Sequence, residues 1–429
     1  MRLSVIALAA ASLAACAAEP PATSMAPPAP TLDTIAEAYV KTSLEIGTHE
    51  DGYIDAYYGP AEWRAAAEAD PRPIPALRAE VASLRAALAA MSPVDPMDAA
   101  RRASLDANLR AADARMQMME GTRFPFDEEA RLLYGAAPRV RELAEFDPVL
   151  ERLDALVPGE GTVGDRVSAY LGRFVIPDDK VEAAILAATA DCKARTAPHI
   201  DMPEGEAFTL ELVRDKVWSG YNWYKGDAQS LIQVNLDSEV SPHRAVTLGC
   251  HEGYPGHHLY NALLEQELAD GKGWVEYQVY PLYSPQSLIA EGSADYGVKL
   301  AYPGNELLPF VRDTLFPIAG FDPVEAERYL AVVEAMDGLE EANPMIGRAY
   351  IDGHITAAEA EALQRKYMLR SEAQAKRTVA FADANRAYII NYVTGEQLVK
   401  QWITERVAEG MSEWDAMELL LTNPVVLTN

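Results

Sequence analysis

Apolar residues recur three and four places apart at Ile74, Leu77, Val81, Leu84, Leu88 and Met91, stop at SPVDPMD, and resume at Leu105, Leu109, Ala112, Met116 and Met119. That spacing puts them on one face of each of two helices joined by a short break, which is the signature of an antiparallel helix pair. The methionines in these stripes are core filler, since a flexible thioether suits irregular gaps. Similar patterns over residues 127–145, 180–196, 323–342, 356–387 and 395–409 place the chain in the mostly α class. About 400 residues exceed the usual size of one core. With no repeat and no flexible linker after residue 32, a single two-lobed body over residues 33–429 is expected.

Residues 217–236, VWSGYNWYKGDAQSLIQVNL, depart from this helical pattern. Aromatic and β-branched residues flank a Lys225-Gly226-Asp227 turn, and Ile232, Val234 and Leu236 then alternate onto one face, so the segment reads as a β-hairpin. An exposed strand edge can hold an extended peptide by main-chain hydrogen bonds.

The N-terminus bears on location. Arg2 is followed by the apolar run LSVIALAAASLAA, long enough for a secretory signal peptide and too short for a permanent span. Leu13, Ala14, Ala15 and Cys16 resemble the lipobox of bacterial lipoproteins, in which the cysteine is acylated and becomes the first mature residue. Residues 1–16 are thus expected to be a signal peptide with its lipidated Cys16, and the Ala/Pro-rich residues 17–32 a semi-rigid tether. Ala17 stands where an inner-membrane retention signal places Asp, so the expectation is a cell-envelope lipoprotein, held by its lipid on the outer membrane and facing the periplasm. Cys192 and Cys250 are too few for a disulfide scaffold; one bridge and two separate buried thiols both remain open. With 37 basic against 65 acidic residues and a net charge of −28, no nucleic-acid partner is expected, because phosphate binding needs a concentrated positive surface.

Three of the seven histidines fall within HEGYPGHH, residues 251–258. In an unbroken HExxH helix, two histidines four residues apart share one metal and a glutamate stands beside its water. Here Ser241 and Pro242 start a helix that carries His251, and Pro255 must bend or stop it near Tyr254 to Gly256. On a straight helix His257 would lie about 240° round from His251, and His258 about 10.5 Å along the axis. Neither could share a zinc ion with His251 unless the Pro-Gly step folds the two limbs together. A second helix, SPQSLIAEGSADYGVKLAY, sets Glu291 and Asp295 one turn apart on one face. If Glu291 reaches the metal, Asp295 is spaced to take the other ring N–H of a ligating histidine. His354 belongs to a turn before a Thr356/Glu359 capping box, and His49, His199 and His243 have no partner at ligand spacing. Cys250 reads as a buried thiol beside the site.

HEGYPGHHLY followed by EGSADYG resembles the bacterial family catalogued as domain of unknown function 885, whose members carry HExxPGH and a later EGxA segment. VWSGYNWYKGDAQSLIQVN and AYIINYVTGEQLV are similar to further blocks of that family, so the resemblance spans most of residues 33–429. The family is grouped with gluzincin metallopeptidases, which are mostly helical with a small sheet near the zinc-binding helix. The resemblance implies His251, His257 and Glu291 as ligands of one zinc ion, with His258 the second choice, Glu252 as general base and Asp295 behind a ligand. Two residues more than in the plain gluzincin motif separate the histidines.

For such chemistry the developing oxyanion needs a donor, and Tyr388, Tyr392 and Arg386 of NRAYIINY are the candidates. The function expected is hydrolysis of peptide bonds in extracytoplasmic peptides by a zinc metallopeptidase. The alternatives are a metal-dependent amidase or esterase on a non-peptide substrate, and a non-catalytic binding lipoprotein.

Overall fold

The structure, a computed structural model, describes residues 30–216 and 218–429. Cys16 and nearly all of the expected tether lie outside these residues. The tether's assigned end at residue 32 runs slightly too far, because the helix Leu32–Gly47 has begun there and Thr31 caps it, its hydroxyl accepting from Thr34 N–H.

The chain is mostly α, as its periodicity implies. Helices Ile74–Ala89 and Pro96–Met119 pack together with Leu77, Val81, Leu84, Leu88, Leu105, Leu109 and Met116 buried. One cluster of buried apolar side chains runs from Ile35 to Leu427, so early and late helices share a core. No described helix is long and apolar enough to cross a membrane.

Three helical segments are shorter than their patterns suggest. The expected helix 127–145 ends at Tyr134, where Gly135 adopts a φ of 87° and stops it. The stretch 323–342 holds Ala326–Asp337, and a separate helix Ala342–Ile351 follows. The stretch 356–387 divides into Ala357–Tyr367 and Glu372–Asn385, with Leu369 between them at a φ of 52°. Apolar periodicity persists through such breaks because both flanking helices face the same core, so spacing alone does not reveal them.

The hairpin is present, as β3 (Gly220–Gly226) and β4 (Gln229–Asn235) paired antiparallel, with Gly226, Asp227 and Ala228 all at positive φ in the turn. It belongs to a larger sheet. A strand not anticipated, β2 (Ala207–Val213), runs parallel to β4, giving the order β2-β4-β3 and leaving β3 at an edge. β1 (Ile54–Tyr57) and β5 (Val279–Pro281) form a separate antiparallel pair, and Tyr221 of β3 reaches across to donate to Asp55 of β1.

Candidate metal centre

The HEGYPGHH segment forms two limbs. Ser241 accepts from Arg244 N–H and starts the helix Pro242–Leu248, which widens into a π-helical turn, Gly249–Gly253, carrying His251 and Glu252. The chain then breaks at Tyr254 to Gly256, where the Tyr254–Pro255 peptide is cis, and resumes as the helix His257–Leu264. Gly256 N–H donates to the Cys250 carbonyl at 3.1 Å, folding the second limb back across the first. A π-turn at a functional segment is a recurrent device, and spacing rules for a regular helix do not foresee it.

This fold-back brings His251 and His257 together, with ring centroids 4.6 Å apart. Glu291, on the helix Pro285–Ala301, completes the group: its Oε2 lies 3.2 Å from His251 Nε2 and 3.6 Å from His257 Nε2. One ligand atom from each of the three residues lies within 4.8 Å of the others. The Glu291 helix crosses the helix Val393–Ala408 at Gly292 and Gly395, where a β-carbon on Gly292 would lie 2.3 Å from the Gly395 carbonyl carbon. This close crossing fixes Glu291, and it explains a glycine directly after the ligand candidate.

The surroundings orient each group. Asp295 Oδ1 is 2.8 Å from His251 Nδ1, which leaves Nε2 facing Glu291. Tyr388 donates to Glu291 Oε1 at 2.7 Å, while Oε2 is buried and has no hydrogen-bond partner. Burial opposes ionisation of Glu291, but His251 and His257 hold its carboxyl below the ordinary range. Burial likewise disfavours the charged form of His251, yet Asp295 and Glu291 raise it well above the usual imidazole value. Glu252 is 5 % exposed, its Oε2 is also unpartnered, and its carbonyl accepts from Asn222 of β3. The edge strand begins against it, since a β-carbon on Gly220 would stand 2.9 Å from Glu252 Oε1.

Other candidates sort by their contacts. His258 is fully buried with both ring nitrogens engaged, Nδ1 with Ser230 Oγ and Nε2 with Glu206 Oε2, each at 2.8 Å, so it stands apart from the group. Arg386 is a correction: its guanidinium is held by Glu129 at 2.6 Å and by the Phe124 carbonyl, so it braces the segment before Tyr388 and does not face the cluster. Tyr388 is committed to Glu291. The Tyr392 hydroxyl makes no hydrogen bond among the described residues, and burial together with the charges of Glu291, Asp295 and Glu252 raises its phenol well above the usual value.

Cys250 is no free thiol. It is bonded to Cys192 across 58 residues, which decides the alternative left open above. The helix Asp178–Thr196 approaches closely because Gly249 has no side chain; a β-carbon there would lie 2.8 Å from Thr189 N. Asp55 was missed entirely. It accepts from Tyr221, and burial, with the nearby Glu291 and Glu252 carboxylates, pushes it up to about 6 against the lowering influence of Tyr221 and His257. A single acid in GYIDAYYGP has no spacing signal that could have singled it out.

No protein-family model matches the chain, and no curated protein matches it. Two solved structures share its fold. One is a "putative lipoprotein" from Colwellia psychrerythraea, with TM-score 0.51 and 15 % identity over 92 % of this chain and 74 % of that one. The other is a "putative lipoprotein of unknown function" from Shewanella oneidensis, with TM-score 0.50 and 11 % identity over 92 % of this chain and 86 % of that one. At these identities the likeness is one of fold alone.

Proposed function

We propose that this protein is an envelope lipoprotein of the gluzincin-like group it resembles, and that it hydrolyses peptide bonds with one zinc ion held by His251, His257 and Glu291. The observation that carries the reading is the buried, unpartnered Oε2 of Glu291 beside two imidazole Nε2 atoms, with Asp295 on the far nitrogen of His251. Two nitrogens and one carboxylate oxygen form a donor set suited to zinc with an open fourth position, and a carboxylate behind a ligating histidine fixes its tautomer and raises its basicity.

When bound, zinc supplies Lewis acidity, lowering the pKa of a water and polarising an acyl carbonyl. Glu252 accepts a proton from the attacking water and delivers it to the departing amine: a C–O bond forms, the C–N bond breaks, and the products are a carboxylate and an amine. Tyr392, with its hydroxyl uncommitted, donates to the developing oxyanion, while Tyr388 holds Glu291 in place. A peptide is favoured as substrate because the edge strand β3 begins beside Glu252. The lipobox at Cys16 supports anchoring in the envelope, and the two structural neighbours are themselves described as lipoproteins.

The test combines metal analysis with Glu252→Gln. Stoichiometric zinc in both proteins, with turnover of a peptide library falling about 10²- to 10⁴-fold in the variant, is expected. A variant within tenfold of wild type rules out the general base, and a zinc-loaded wild type that cuts no peptide turns the reading towards a non-peptide substrate or a binding role.

A further inference from the structure

Arg244 lies on the helix that delivers His251, seven residues ahead of it, and no carboxylate among the described residues touches its guanidinium. Nη2 donates to Ser219 Oγ at 2.7 Å and Nη1 to Thr247 Oγ1 at 3.3 Å, so two hydroxyls are its side-chain partners. Other guanidiniums largely withdrawn from solvent are paired: Arg101 with Glu276, Arg115 with Glu50 and Arg386 with Glu129. Arg110 and Arg370 also lack a carboxylate partner, but the charges that bear on them are those of Asp106 and Arg85 and of Arg377 and Glu340, none of them a residue of the metal cluster. In a chain with 65 acidic residues against 37 basic ones, an unmatched cation at this position needs a reason.

Its position supplies one. The acidic groups that bear on Arg244 are the carboxylates of Glu252 and Asp295 and the phenol of Tyr392, all at the cluster. Ser219, which it grips, immediately precedes Gly220, and a β-carbon on Gly220 would lie 2.9 Å from Glu252 Oε1. The guanidinium is therefore tied to the residue just ahead of the glycine that packs on the general base, on the same helical segment that carries His251. It has five N–H donors, and hydroxyls occupy two of them. The ligand that best fits a planar fork of this kind is a carboxylate, bound through two parallel hydrogen bonds.

We propose that Arg244 binds the free C-terminal carboxylate of the peptide, so that the site acts as a carboxypeptidase cutting near a chain end. This rests on the metallopeptidase reading above. The reaction is the same hydrolysis, in which water adds its oxygen to the new carboxylate and its protons end on the released amine and solvent, with no further co-reactant.

The experiment uses one tetrapeptide library prepared as three pools: N-acetylated free acids, N-acetylated C-terminal amides, and amides with a free N-terminus. Wild type is expected to cleave the free-acid pool at least about thirtyfold faster than either amide pool, the loss typical when one partner of a buried charge pair is removed, and Arg244→Gln is expected to abolish that preference through KM. In equilibrium dialysis, Glu252→Gln should retain the free acids over the amides, and Glu252→Gln/Arg244→Gln should retain neither. That retention supports the carboxylate subsite even if wild type cuts no pool, a result that would defeat only the hydrolytic reading. Equal cleavage of acids and amides, or preference for the free N-terminus, overturns the proposal while leaving hydrolysis intact. If Arg244→Gln does not fold, the comparison of pools on wild type decides alone.

Discussion

Gly256 packs so closely on His251 that a β-carbon on the glycine would lie 1.8 Å from the His251 carbonyl oxygen and 2.4 Å from that of Cys250. No side chain fits there, so the return of the second histidine limb over the first depends on glycine. Gly256→Ala must push the limbs apart. It is expected to lose the metal and to cost at least about 3 kcal/mol, since the contact is with backbone that cannot rotate away. Metal content and denaturant unfolding check both effects.

The two adjacent histidines should behave oppositely. His257→Ala is expected to abolish stoichiometric metal binding while the fold survives. His258→Ala should keep the metal but lose about 1 to 3 kcal/mol of stability, because Ser230 and Glu206 are left buried without the ring. Asp295→Asn should fall between them, weakening metal binding by roughly 10- to 100-fold. Elemental analysis beside thermal melting distinguishes the three, and metal loss confined to His258→Ala would reverse the ligand assignment.

The Cys192–Cys250 bridge ties the His251 turn to the helix Asp178–Thr196. Closing a loop of 58 residues in the unfolded chain corresponds to about 4 kcal/mol in the chain-entropy model. The double substitution Cys192→Ser/Cys250→Ser is expected to lower unfolding stability by about 2 to 5 kcal/mol and to weaken metal binding, because residue 250 adjoins the first histidine. A variant that melts and binds metal like wild type would show the bridge to be dispensable.

Glu206 links β2's approach to the histidine segment, accepting from Lys193, Tyr254 and His258. Burial opposes its ionisation, yet those three partners lower its carboxyl to about 2. A depressed carboxylate contributes stability that is present above its unfolded value near 4.5 and is lost as pH falls towards about 2. Wild type should therefore lose stability as pH drops through that window, and Glu206→Gln should be less stable at pH 7 and show a flatter decline. Unfolding midpoints measured between pH 2 and 7 test this, and parallel curves for the two proteins would contradict it.

Much of the architecture was written in local patterns. The three- and four-residue recurrence around Leu77 to Met119 needs only a helix and a neighbouring apolar face, so it identifies those helices without reference to the rest of the chain. Lys225-Gly226-Asp227 similarly marks a turn by its own backbone preferences. β2 has the alternation of a strand but no turn tying it to β4, because β3 intervenes in the chain between the two partners, and parallel pairing has no local signature.

At the candidate centre, the sequence by itself determined the residue types, the interruption at Pro255 and the one-turn spacing of Glu291 and Asp295. These depend on proline chemistry and helical pitch, both local. Only the tertiary structure decided that His257 turns towards His251 while His258 turns to Glu206, that Arg386 serves Glu129, that Cys192 reaches Cys250, and that Asp55 joins the cleft. Each of these is set by which distant segment packs against it, through contacts such as Gly292 on Gly395 and Gly249 on Thr189, and close packing between segments far apart in the chain leaves no periodicity in either one.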